Sequence, residues 1–229
     1  QWLFTNRRVP APAGWHVLDN LMGFAAELGV TDLQARWDIP TSQQDDAWAA
    51  QQLGQQPTLL LSPSASKASR NWTVEGYAGL IAHARQCGLQ VALCGGPGAS
   101  ERQLGDAISA ACPTPPLNLI GKTNLKQLLA LMKQARIVVS PDSGPAHMAN
   151  AAGVPVLGLY ADQTPRRTGP YRWQAQAVSV FEPLLAAQGK DPATQPWRTR
   201  LRQEDAMQHI TLPMVSAALD SLLATTDTG

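Results

Sequence analysis

Residues 137–160 carry the pattern that most narrows what this chain can fold into. An apolar run, Ile137-Val138-Val139, leads into Ser140-Pro141-Asp142-Ser143-Gly144-Pro145-Ala146-His147. A second run, Val154 to Tyr160, follows Gly153. The pattern predicts strand, loop, short helix and strand, the repeating unit of a parallel sheet. Asp142 or Ser143 is expected to cap the helix by accepting from a free backbone N–H. Pro145 falls in the first turn, where its missing donor does no harm. Gly153 falls just past the last turn, where a left-handed residue is wanted. Unpaired N–H groups at such a helix start make an anion site, and it lies at the carboxyl end of a strand, where open α/β sheets bind ligands.

The rest of the chain extends the pattern. Thr58–Ser62, Leu89–Cys94, Leu117–Ile120, Arg136–Ser140 and Val154–Tyr160 are short, mostly apolar runs of the kind that parallel sheets bury on both faces. Val178–Val180 is a candidate sixth strand. Helices are predicted between them: one capped by Thr73 and running to Cys87, one over 100–111, and one over 124–135. Trp15 to Leu28 has helical spacing closed by Gly29, and Asp45 to Leu53 is a short helix within a polar linker. Thr211 is expected to cap a last helix with Val215, Leu219, Leu222 and Leu223 on its apolar face. Residues 1–13 read as a loop or the end of an earlier element, and 182–203 as irregular. The fold class is therefore α/β, a Rossmann-like parallel sheet with helices on both faces.

Several familiar site motifs fail on spacing. Gly96-Pro97-Gly98 starts a dinucleotide fingerprint, but Glu101 stands where the third glycine belongs. Gly121-Lys122-Thr123 imitates the end of a P-loop, but Pro116 occupies the position of its first glycine. Gly95 and Gly96 are read as turn glycines. Asp142, Ser143 and His147 invite a hydrolase reading, yet Pro141-Asp142-Ser143-Gly144-Pro145 is not a nucleophile elbow. The better reading is a binding cluster, with His147 one helical turn after Ser143. Lys67 and Arg70, in a serine-rich loop after the first strand, read either as solvated surface charge or as cations that neutralise a diphosphate there. His16, His83 and His209 are isolated in the sequence and carry no predicted chemistry.

Composition bounds the remaining classes. The 229 residues carry a net charge of +1, which gives no polycation for nucleic acid. No apolar run approaches about 18 residues, so no membrane span is expected. Cys87, Cys94 and Cys112 lack CxxC spacing, which argues for reduced thiols in a cytoplasmic protein and against a zinc site. No secretory signal is read, and with Gln1 first a segment upstream stays open.

Four segments resemble one family. They are Leu61–Ser66 with Arg70-Asn71-Trp72, Val91–Pro97, Asn118–Leu125, and Asp142–Ala149 continuing through Gly153-Val154-Pro155, Thr164-Pro165-Arg166 and Gly169-Pro170-Tyr171. In order and spacing they are similar to the bacterial ADP-heptose:lipopolysaccharide heptosyltransferases, inverting glycosyltransferases of the two-domain GT-B fold. Residues 14–30 also resemble the close of that family's first domain.

The resemblance implies that residues 57–229 are a donor-binding C-terminal domain, and that 1–56 are the tail of an acceptor domain plus a linker. It implies an ADP-heptose or related sugar-nucleotide donor, a lipopolysaccharide core acceptor, no cofactor and no metal. It also implies a cytoplasmic location with peripheral contact at the inner membrane. Ser64 and Ser66 would meet the diphosphate or sugar. Arg70 would replace the family's phosphate-binding lysine, as a fork rather than a point charge. Gly121, Lys122 and Thr123 would flank the nucleotide. Asp142, Ser143, Gly144 and His147 would hold diphosphate and heptose. An acid expected near the ribose after the second strand is replaced by Pro97-Gly98-Ala99. The family's catalytic base belongs to its first domain, and no residue here is nominated for it. A transferase using another sugar nucleotide and a non-catalytic nucleotide-binding module remain alternatives.

Overall fold

A computed structural model describes residues 9–10 and 14–227. The reading of residues 1–13, Val9 and Pro10 apart, lies outside the described residues. Among them the chain opens with α1 (Val17–Glu27) and α2 (Gln43–Leu53). Then β1 (Thr58–Leu61), α3 (Val74–Gln86), β2 (Gln90–Leu93), α4 (Ala99–Ala110) and β3 (Leu117–Asn118) alternate. The alternation continues with α5 (Leu125–Gln134), β4 (Ile137–Pro141), α6 (Gly144–Ala152), β5 (Val156–Tyr160), a single turn α7 (Pro165–Thr168) and β6 (Val178–Ser179). Two helices, α8 (Phe181–Ala187) and α9 (Leu212–Asp227), close the chain.

The six strands form one sheet in the order β3-β2-β1-β4-β5-β6. Every pairing is parallel; Leu59 registers with Val91 on one side and Ile137 on the other. Strand order reverses direction between β1 and β4, and ligands of open α/β sheets bind at that crevice.

Alternation along each strand divides the core in two. Leu59 and Leu61 point to a layer that holds Tyr77, Leu80 and Ile81 of α3, Ile108 of α4, Phe181 and Leu185 of α8, and Val215, Leu219 and Leu222 of α9. Leu60 points to the opposite layer, built from Ala49 and Leu53 of α2, Leu128, Leu131 and Met132 of α5, and Ala146 and Ala149 of α6. The short helix inside residues 1–56 thus packs under the sheet, with Ala49 fully buried.

Local chemistry explains most element starts. Ser42 caps α2 and Asn124 caps α5, each within a reciprocal capping box completed by Asp45 and Gln127. The Thr73 hydroxyl accepts from the Gly76 N–H at 2.9 Å to start α3. Gly153 ends α6 at φ +80°, as its position in the sequence predicts.

Three expectations change. No side chain caps α6: Ser143 occupies the cap position, but its hydroxyl pairs with that of Ser140 at 2.8 Å. The irregular stretch predicted over 182–203 begins as α8 instead. Pro183 sits in its first turn, where no intrahelical donor is required, and Phe181 and Leu185 bury one turn apart. The third strand is two residues long rather than four.

Helix α1 departs in another way. His16 caps it through Nδ1, accepting from the Leu18 N–H at 3.1 Å, and its Nε2 meets the Gly169 carbonyl at 3.0 Å. The histidine is buried, yet no residue of α1 is, and Leu21 and Phe24 are more than half exposed.

Candidate functional site

A cavity of about 780 Å³ opens over the carboxyl ends of β1, β2 and β4, in the size range of small-molecule sites. Its polar wall comes from the loops that leave those strands. Ser64 and Ser66 follow β1, Gly95 and Gly96 follow β2, and Ser143 and Gly144 follow β4. Thr123 and Asn124 close one side, and Pro97, Leu125, Leu128, Pro145 and Met148 add an apolar surface.

The fold fixes each wall. Asn71 accepts from the Ala65 N–H at 2.8 Å and pins the serine loop. Behind it, the Tyr77 hydroxyl donates to the Pro63 carbonyl at 3.1 Å, and the Trp72 indole donates to the Ile210 carbonyl at 2.7 Å. At β4, the Ser140–Ser143 hydroxyl pair holds the chain as it turns into α6. The first turn of α6 has N–H groups with no intrahelical acceptor, and Gly144 and Pro145 bring that end of the helix to the cavity wall. A Cβ on Gly144 would meet no atom within 4 Å, so its backbone is open to close approach.

Glu101 is the residue that the sequence reading passed over. One turn into α4, its carboxylate folds back to accept from the Gly96 N–H at 2.7 Å and lines the cavity. Gly95 and Gly96 are therefore wall residues as well as turn glycines. A Cβ on either would stand within 3 Å of that carboxylate. Residues 97–99 hold no acid, and Glu101, two positions later, puts a carboxylate in the cavity wall. Its sequence signal is an acid at the position where a dinucleotide fingerprint has its third glycine.

A charged network flanks the cavity beyond Ser143. Arg70 forks across two carboxylates, Nη1 to Asp142 at 3.2 Å and Nη2 to Asp162 at 3.3 Å. Asp142 also accepts from the Gln163 amide at 2.5 Å, and Asp162 accepts from Arg200 at 2.8 Å. Gln163 in turn accepts from Arg167, whose guanidinium stacks 4.4 Å from the Trp197 ring centre. Burial, then the charges of Arg200 and Arg198, pull the Arg167 pKa down against the opposing Asp142. Three arginines against two aspartates leave this network net positive. The Nε atoms of Arg70 and Arg167 are buried with no protein acceptor, so further acceptor oxygens would be favoured there.

His147, on α6, completes the flank. Burial lowers its pKa, and the Asp142 charge partly opposes that. The imidazole is thus neutral near pH 7, able to donate one hydrogen bond and accept another.

Of the residues predicted from sequence, Ser64, Ser66, Thr123, Ser143 and Gly144 line one cavity. Arg70 and Asp142 meet beside it, and His147 lies close enough to feel the Asp142 charge. Gly121 and Lys122 are not in the wall. Gly121 turns at φ +73°, and the Lys122 ammonium donates to the Asn118 carbonyl at 2.8 Å. His16, given no chemistry from sequence, joins α1 to the loop at Gly169 and lies near enough to His147 for their charges to interact.

A parallel sheet in this order, with hydroxyls, a helix N-terminus and an arginine network around its switch point, defines a domain of the Rossmann-like type that GT-B glycosyltransferases carry. Comparison with known proteins names the family. The chain belongs to glycosyltransferase family 9, the heptosyltransferase family, whose model matches residues 1–197.

Among relatives, it is 41% identical over 224 residues to the lipopolysaccharide core heptosyltransferase OpsX of Haemophilus influenzae, covering 97% of this chain and 65% of that protein. It is 30% identical over 154 residues to lipopolysaccharide heptosyltransferase 3 of Escherichia coli, covering 64% of this chain and 44% of that protein. Among solved structures, a family 9 glycosyltransferase from Veillonella parvula superposes with a TM-score of 0.78 at 20% identity, covering 97% of this chain and 64% of that one. The E. coli ADP-heptose lipopolysaccharide heptosyltransferase II superposes with a TM-score of 0.67 at 23% identity, covering 88% and 57%. The chain spans less than two thirds of the length of each of these proteins.

Proposed function

We propose that this chain is the donor-binding half of a heptosyltransferase, holding ADP-heptose for transfer to the lipopolysaccharide inner core. The observation that carries the reading is the cavity at the sheet's switch point, with the Glu101 carboxylate on one side and the α6 N-terminus on the other. Its relative at 41% identity is named as a lipopolysaccharide core heptosyltransferase.

The chemistry divides along the cavity. The apolar surface of Pro97, Leu125, Leu128 and Met148 takes the adenine. Glu101 accepts from the ribose hydroxyls. Ser64, Ser66 and the N–H groups of α6 take the diphosphate, with Thr123 beside the nucleotide. Gly121 and Lys122 flank the nucleotide from outside the wall. Arg70, Asp142 and His147 face the sugar and its linking phosphate. During transfer, an acceptor hydroxyl oxygen attacks the anomeric carbon and its proton passes to a base. The bond from that carbon to the diphosphate breaks, and ADP leaves with the electron pair. Negative charge then grows on the diphosphate, where the helix N-terminus and the net positive arginine network stabilise it without a fixed metal. No residue described here is assigned as the base.

On this reading, residues 57–229 are the donor domain and residues 1–56 are the acceptor domain's tail with a linker. The exposed apolar face of α1 supports this, since a helix with that spacing ordinarily covers a core. Among the described residues no helix is long and apolar enough to cross a membrane. Peripheral contact with the cytoplasmic face of the inner membrane belongs to the same proposal, since the acceptor it names is lipopolysaccharide core.

Calorimetry with ADP tests the site. The wild-type chain should bind ADP saturably. Glu101→Ala, Asp142→Ala and His147→Ala should each weaken binding about tenfold or more, equivalent to about 1.4 kcal/mol. Equal affinity in all four proteins would sink the assignment.

A further inference from the structure

Far from that cavity, α3 and α9 bring together three groups that the sequence holds apart. His83 and Cys87 lie four residues apart where α3 ends, so both stand on one face. Asp220 comes from α9. The His83 Nε2 lies 2.7 Å from Asp220 Oδ1, and the Cys87 sulfur lies 3.8 Å from that nitrogen and 3.7 Å from that oxygen. Among the described residues this is the cluster of nitrogen, sulfur and oxygen donors close enough to share one ion.

We propose that His83, Cys87 and Asp220 form a binding site for a divalent transition metal of the zinc type. Tetrahedral zinc with ordinary bond lengths sets sulfur about 3.6 Å from a nitrogen or oxygen ligand, and sets nitrogen and oxygen roughly 3.3 Å apart. The two sulfur distances already match within about 0.2 Å. The His83–Asp220 pair needs to open by roughly half an ångström, within reach of a side-chain rotation at the surface. Thiolate and imidazole donors suit zinc, cobalt(II) or iron(II), and disfavour magnesium and calcium, which take oxygen. On binding, the thiol gives up its proton to solvent and its sulfur lone pair to the ion. The His83 Nε2, which donates its proton to Asp220 in the ion-free pair, gives that proton up through solvent, to Nδ1 or to bulk water, and turns the freed lone pair to the ion. Three protein ligands leave a fourth position for water.

The scaffold is rigid on both sides. Gly79 of α3 lets the Leu212 side chain of α9 approach so closely that a Cβ there would sit 2.5 Å from it. The ligands therefore stand on two helices already packed together, and the ion would clamp the last helix to the sheet's covering layer. The absence of CxxC spacing argues against zinc in the sequence; the site escapes that test because its third ligand arrives from a distant helix.

Cobalt(II) titration of the reduced, tag-free 229-residue chain tests the proposal. One ion per chain should bind with a thiolate-to-cobalt charge-transfer band, displaced by zinc. Cys87→Ser should abolish the band, and His83→Gln and Asp220→Asn should weaken binding at least about tenfold. No saturable band in the wild type, or a band that survives Cys87→Ser, overturns it. A second readout needs no variant. Cys87 is exposed whereas Cys94 and Cys112 are buried, so rapid alkylation reports on Cys87. Zinc should slow that alkylation at least tenfold, and an unchanged rate overturns the site.

Discussion

His147 sits between burial, which favours its neutral form, and Asp142, which favours its charged form, and burial dominates. His16 is lowered as well, chiefly by burial and in small part by the nearby His147, while the Gly169 carbonyl and Asp19 oppose. Both pKa values fall below the ordinary 6.5. The unfolded chain then binds more protons in acid than the folded one does. Stability from these groups is present above 6.5 and is lost as pH falls through the folded values. The urea midpoint should therefore drop between about pH 7.5 and about pH 5.5, and His147→Gln should recover part of that drop. A midpoint equally pH-dependent in that variant would remove His147 from the account. The position of His147 was legible because the strand and glycine signals locate α6. The place of Glu101 in the cavity wall was not, because a side chain that folds back onto its own loop leaves no periodic trace. His16 was equally hidden: its partner Gly169 lies 153 residues away in sequence.

At the scale of elements, α3 shows where local propensity misleads. Replacing Gly76 by alanine in a helix ordinarily gains about 1 kcal/mol. Here a Cβ would lie 2.5 Å from the Trp72 ring, which is itself buried and tied to Ile210. Gly76→Ala should therefore destabilise by about 1–3 kcal/mol in urea unfolding, the reverse of the propensity expectation. A stabilised variant would mean that the ring yields. The strands and most helices were legible because buried parallel strands read as apolar runs and caps mark helix starts. Helix α8 was missed because Pro183 and the polar stretch beyond it mask a single buried pair, Phe181 and Leu185. Helix α1 was found, but spacing alone could not show that its apolar face would stand exposed.

The whole molecule depends on its last helix. The family match ends at residue 197, yet Val215, Leu219 and Leu222 of α9 are at most 1% exposed within the larger core layer. Burying such side chains contributes about 1.5–3 kcal/mol each, against a total stability of about 5–15 kcal/mol. A chain truncated after Ile210 should lose its cooperative thermal transition and its near-ultraviolet circular dichroism. A native-like transition in that truncation would show that the layer closes without α9.

The central pairing of the sheet joins residues that are distant along the chain. Leu59 of β1 registers with Ile137 of β4, 78 positions later (137 − 59). Ser64 and Ser66 hang from one of these strands, and Ser143 and Gly144 from the other. The two walls of the cavity consequently meet only after the longest loop of the topology has closed, a step that contact order makes slow. On the proposed function, a nucleotide in this cavity contacts residues that only the folded sheet brings together, and so stabilises the folded chain over the unfolded one. Ligand at a hundredfold excess over its Kd would then deepen the folding free energy of the whole domain by about 2.7 kcal/mol, rather than merely ordering a loop.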